Sequence, residues 1–104
     1  MKSNKNIKVP SITKAEAMHE RAIQAKLYSD EVFIEYLKRV EQEIIKVADE
    51  GKFCYEITPE NIKAVAKDLH CLPADFAKAF ERVFKKNGYS TVLYGGDYIS
   101  IQWW

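Results

Sequence analysis

Cysteine, proline and glycine are scarce in this chain of 104 residues, with two, three and four copies respectively. Two cysteines are too few for a disulfide framework, so Cys54 and Cys71 read as reduced thiols of a cytoplasmic protein. So little glycine and proline, in an otherwise ordinary composition, argues against a disordered chain. No apolar run approaches the roughly 18–20 residues that span a bilayer, and the opening Met1-Lys-Ser-Asn-Lys5 leads into no apolar segment of a secretory signal. Neither sign of charge dominates: 16 basic residues meet 15 acidic ones, for a net charge of +1. A nucleic-acid-binding domain usually carries a basic bias throughout. Here only residues 1–14 do, with Lys2, Lys5, Lys8 and Lys14 and no acid. Residues 15–51 are acidic on balance, and residues 52–104 are close to neutral.

What is present suits one ordinary globular domain, 47% hydrophobic and 30% charged. Residues 1–12 are expected to form a flexible basic arm, and 13–104 a single α+β domain divided into a helical pair (13–51) and a unit of strand, two helices and hairpin (52–104). Thr13 and Glu16 have capping-box spacing. Ala15, Met18, Ala22 and Ala25 then recur at helical intervals and predict a short helix with that stripe inward. Asp30 suits the start of a second helix, whose stripe is Phe33, Leu37, Val40, Ile44, Val47 and Ala48. Phe53–Ile57 reads as a strand with Cys54 buried as a small hydrophobe. Pro59 and Pro73 each suit a first helical turn, where the missing amide has no partner to lose. Gly95-Gly96-Asp97 between two alternating segments reads as a hairpin closing a three-stranded antiparallel sheet. The expected core is Phe33, Leu37, Val40, Ile44, Ile62, Val65, Leu69, Phe76, Phe80, Val83, Phe84, Ile99, Ile101 and Trp103.

From Asp30 to Trp104 the order helix, strand, helix, turn, helix, strand, Gly-rich turn, strand resembles the winged-helix fold. The resemblance implies a helix-turn-helix with 73–87 as recognition helix and the hairpin as wing. The words Lys14-Ala-Glu-Ala17, Glu50-Gly-Lys-Phe53, Gly88-Tyr89 and Ile101-Gln-Trp-Trp104 are similar to segments of small uncharacterised bacteriophage and prophage proteins. That resemblance implies a phage setting in a host cytoplasm and brings no catalytic residues with it.

Chemistry-bearing residues do not converge. Cys54, His70 and Cys71 form the only conceivable soft-ligand set, but no Cys-x-x-Cys or His-x-x-x-His spacing accompanies them. His70 beside Cys71 has the residue types of a catalytic dyad, yet neighbours in a turn point apart more often than they pair. Glu35, Glu41, Glu43, Asp49 and Glu50 interleave with Lys38, Arg39 and Lys46 as on a solvated helix face. Gly95-Gly96 opens a strand, whereas a phosphate cradle needs a helix. The expectation is a protein without catalytic activity, metal, cofactor or small-molecule substrate.

Two binding surfaces are left. One is the outer hairpin face with Tyr98, Gln102 and Trp104, beside either Tyr94 or Tyr89; exposed Tyr and Trp are frequent protein-binding hot spots. Its alternative is structural, with Trp104 folded over a sheet edge or under the N-terminal helix. The other is the outer face of 73–87, where Lys78, Arg82, Lys85 and Lys86, with Lys5 and Lys8 of the arm, could meet DNA phosphates. Asp75 and Glu81 on the same helix count against it. A protein partner is favoured, either a host protein or a second copy, with DNA as the alternative.

Overall fold

In the computed structural model, which describes residues 9–104, four helices and three strands follow in the order expected. They are α1 (Ala15–Tyr28), α2 (Glu31–Asp49), β1 (Cys54–Ile57), α3 (Pro59–Asp68), α4 (Pro73–Lys86), β2 (Ser90–Tyr94) and β3 (Tyr98–Gln102). Lys5 and Lys8 lie outside the described residues. The chain is thus α+β, its sheet antiparallel in the order β1-β3-β2. Ser100, at the middle of the central strand, stands opposite Glu56 on one side and Val92 on the other.

Local chemistry sets most boundaries. Asp30 Oδ1 accepts the Val32 amide at 2.8 Å and starts α2. The helix closes where Gly51 turns into the left-handed region at φ +84°, donating its amide to Ala48 O at 2.9 Å. Pro59 and Pro73 occupy the first turns of α3 and α4. The capping box at Thr13 does not form: Lys14 is the N-cap and no side chain caps the helix. With the start one residue later, position N3 falls on Ala17, and Glu16 has no reciprocal partner to bond.

Ile99 and Ile101 on the inner face of β3 are fully buried under α4, with Ile57 of β1 beside them. With them in one core cluster are Phe33, Val40 and Ile44 of α2, Ile62 and Val65 of α3, and Phe76, Phe80 and Phe84 of α4. Phe80 is the hub, with ring centroids 5.1–6.1 Å from Phe84, Tyr36, Phe76 and Phe33. Tyr36, a core residue that the apolar pattern alone leaves out, fills the place expected of Leu37. Leu37, Val83 and Trp103 are half-buried at the margin.

Two further expectations are corrected. Cys54 is exposed, because β1 points Tyr55 and Ile57 inward and Cys54 and Glu56 outward. On α1 the stripe Ala15, Met18, Ala22 and Ala25 faces solvent, while Ile23, Leu27 and Tyr28 face the domain. Leu27 and Ile23 remove far more apolar area from water than alanines would, so packing rolls the helix onto them. Tyr28 anchors the end, its hydroxyl donating to Ala79 O at 3.0 Å.

Burial pushes the Tyr36 phenol up to about 12, the neighbouring Tyr55 adding to the shift and Arg39 opposing it. The native state therefore holds this proton after the unfolded chain has lost it. The associated stability is complete below about pH 10, the ordinary tyrosine range, and is lost as pH rises through about 12. Tyr36→Phe is expected to flatten this alkaline decline, measured as midpoints of urea unfolding at a series of pH values. A slope identical to that of the parent chain would show that Tyr36 is not the group responsible.

Candidate functional site

The sheet's outer face and the C-terminus were the first candidates, and the structure divides them. Tyr94 and Tyr98, opposite one another next to the hairpin turn, stack edge to face with centroids 5.6 Å apart. The Glu56 carboxylate, through a side-chain hydrogen bond, pushes the Tyr98 phenol up. Gln102 lies further along the same face, its Nε2 donating to Ser100 Oγ at 3.3 Å. Trp104 is at the opposite end of β3 from Tyr98, about 20 Å away at the rise of an extended strand. These four side chains therefore do not make one patch.

Trp104 belongs to a different surface. β3 ends at Gln102, and Trp103 is pinned across to the start of β1: its amide donates to Phe53 O and its indole Nε1 to Lys52 O, both at 3.1 Å. Trp103 also meets Tyr89 edge to face at 6.3 Å. That anchorage leaves Trp104 beyond the sheet and 76% exposed. Together with Ile44, Ile45 and Ala48 of α2 and Gly88-Tyr89 after α4, the two tryptophans line an open groove of about 330 Å³. Ile45 is 47% exposed on its wall. A second groove of similar size adjoins it, lined by Leu37, Lys38 and Glu41 of α2 and by Val83, Phe84, Asn87 and Tyr89. Asn87 and Tyr89 belong to both. A trough thus runs along one flank of α2, apolar at the Trp104 end and mixed with Lys38, Glu41 and Asn87 at the other.

The α4 surface is arranged otherwise. Lys78, Arg82, Lys85 and Lys86 are exposed, but α1 lies along this helix. His19 Nε2 stands 3.0 Å from Asp75 Oδ2, and the groove between α1 and α4 mixes Lys78, Arg82 and Lys85 with Glu20, Asp75 and Glu81. Lys85 pairs with Glu81 at 3.5 Å. The hairpin tip is also engaged: Asp97 reaches Lys63 at 4.0 Å, and a Cβ on Gly96 would lie 3.8 Å from Ala74. A helix that reads the major groove needs its outer face clear and basic. This one is partly covered and of mixed charge.

Cys54, His70 and Cys71 are not brought together. Cys54 is on the outer sheet face, His70 is exposed in a left-handed turn at φ +54°, and Cys71 packs against the core. Burial pushes the Cys71 thiol up, Lys26 opposing and Asp75 and Asp30 reinforcing, so it is held in the less nucleophilic protonated form. Among the described residues no three His, Cys, Asp or Glu side chains gather as a metal-binding group. Among the same residues no helix is long and apolar enough to cross a membrane.

The fold and grooves define a small α+β domain. No protein-family model, curated protein or solved structure matches the chain.

Proposed function

We propose that this domain is a non-catalytic protein-binding module that holds an apolar segment of its partner in the trough beside α2. The observation that carries the reading is Trp104, a large aromatic ring 76% exposed at the end of a groove whose wall is the half-exposed Ile45. Tryptophan is among the residues most enriched at binding hot spots, and large apolar side chains left in water at a concave surface are characteristic of such sites. The phage-like sequence words supply the kind of partner: a host protein that the domain would block or redirect. DNA binding through α4, on the winged-helix-like order of elements, has less support, because α1 overlies that helix and its outer face mixes acids with bases.

Ile45→Glu places a carboxylate in the wall of the trough, where a bound partner would strip it of water. Immobilised wild-type chain is expected to retain a partner from nuclease-treated host lysate. The variant should lose it by at least about tenfold while its far-UV circular dichroism is unchanged. Undiminished capture by the variant, or loss of the partner on nuclease treatment, overturns this reading.

A further inference from the structure

Helix α1 has a second face, and its chemistry differs from that of the trough. With Ile23, Leu27 and Tyr28 turned to the domain, Met18 points away and is 50% exposed, in line with Ala15, Ala22 and Ala25 at spacings of three and four. Just before the helix, Ile12 and Val9 are 79% and 90% exposed. Helical geometry sets Lys14 and Arg21 along one border of this strip and Lys26, whose ammonium donates to His70 O at 3.0 Å, along the other. No carboxylate borders it, since Glu20 lines the groove against α4 and Glu16 falls on the same domain-facing side. The result is an apolar strip with a uniformly basic margin. Two such strips laid directly together would oppose like charges, so the surface that fits it is apolar with an acidic margin.

The domain carries that complement on the flank of α2 away from the trough. Between α2 and α3 lies a groove of about 430 Å³ floored by Val32, Tyr36 and Val65 and rimmed by Glu31, Glu35 and Asp68, with Arg39 its one base. Val32 is 43% exposed there. Among the described residues, none of these three carboxylates and neither Lys14 nor Arg21 takes part in an ion pair.

We propose that α1 of one copy seats in the α2–α3 groove of a second copy, with Met18 against Val32 and the Lys14/Arg21 border against Glu31, Glu35 and Asp68. The two surfaces are different patches of one chain, so the joint is head-to-tail. Exchanged reciprocally it makes a pair, and repeated it makes a ring or a chain. The inference is independent of the trough and of what binds there.

The test is sedimentation of the full-length chain over a concentration series at low and high salt. Association that strengthens with concentration and weakens with salt is expected. Arg21→Glu and Glu35→Arg each place like charges across the joint and should weaken association at least about tenfold. Both positions are exposed, so circular dichroism should be unchanged. The double variant carrying both substitutions restores opposite charges and should associate like the parent chain. A monomer throughout the series overturns the proposal, as do single variants that associate normally or a double variant that fails to recover. Binding of a labelled DNA duplex that Arg21→Glu abolishes, in a chain that stays monomeric, would assign the basic margin to nucleic acid and likewise overturn it.

Discussion

Phe80→Ala is expected to destabilise the domain by about 3–5 kcal/mol, the usual cost of emptying a buried phenylalanine site. Phe80 has no exposed surface, and its ring touches four other aromatic rings drawn from α2 and α4. Each such pair contributes roughly 0.5–1.5 kcal/mol beyond the area it buries. The substitution therefore removes the transfer energy of one ring and several specific contacts, and it leaves a cavity that α2 and α4 cannot both close. Native domains are stable by only about 5–15 kcal/mol, so the variant should melt tens of degrees lower by calorimetry or be unfolded at growth temperature. Phe53→Ala is the control, with the same side chain removed from a position 55% exposed beside β1. Its expected effect is within about 0.5 kcal/mol, as for other surface substitutions. Similar losses at the two positions would mean that the aromatic cluster is not the centre of the core.

The aromatic cluster was legible in the sequence because its spacing is unambiguous. Phe76, Phe80 and Phe84 recur every fourth residue between Pro73 and Gly88, and Phe33, Val40 and Ile44 follow a helix stripe begun by a good capping aspartate. The hairpin was legible because Gly95 and Gly96 both adopt positive φ, which other residues rarely tolerate. Helix α1 was harder. Its pattern supports two stripes: one of alanines and Met18, and one through Ile23 and Leu27. Periodicity weighs them alike, whereas packing favours the larger side chains. Tyr36 was missed for a related reason. Both Tyr36 and Leu37 have helical spacing from Phe33 and Val40, and only the rings of Phe76 and Phe80, 5.8 and 5.4 Å away, decide for the tyrosine.

The candidate site was legible only in part. Alternation along β3 puts Trp103 and Trp104 on opposite faces, whereas the strand ends at Gln102 and both rings line one groove. It also groups Trp104 with Tyr98 and Gln102, since strand alternation records a face and says nothing of distance along it. One wall of the trough comes from α2, more than fifty residues earlier in the chain. Ile45 stands just off the hydrophobic stripe of α2, where a lone exposed isoleucine is unremarkable on a protein surface. Only with the C-terminus laid beside it does Ile45 become a wall.

The two tryptophans, adjacent in sequence, should respond to alanine in different ways. Trp104→Ala is expected to weaken partner binding by about 2 kcal/mol or more, roughly thirtyfold, as hot-spot aromatics do. It should leave the thermal midpoint of the free chain within a few degrees of the parent, because the ring is 76% exposed and makes no hydrogen bond among the described residues. Trp103→Ala should lower both. Its indole ties the C-terminus to Lys52 O, and its ring packs against Tyr89 on the margin of the core. Losing it costs a hydrogen bond worth about 1 kcal/mol together with the packing of a large ring, and it releases the segment that holds Trp104 in place. Calorimetry of the free variants beside titration of the captured partner separates the two roles. A Trp104→Ala chain that binds as tightly as the parent would show that the exposed ring is not part of the contact. A Trp104→Ala chain that melts as low as Trp103→Ala would show instead that the ring supports the fold.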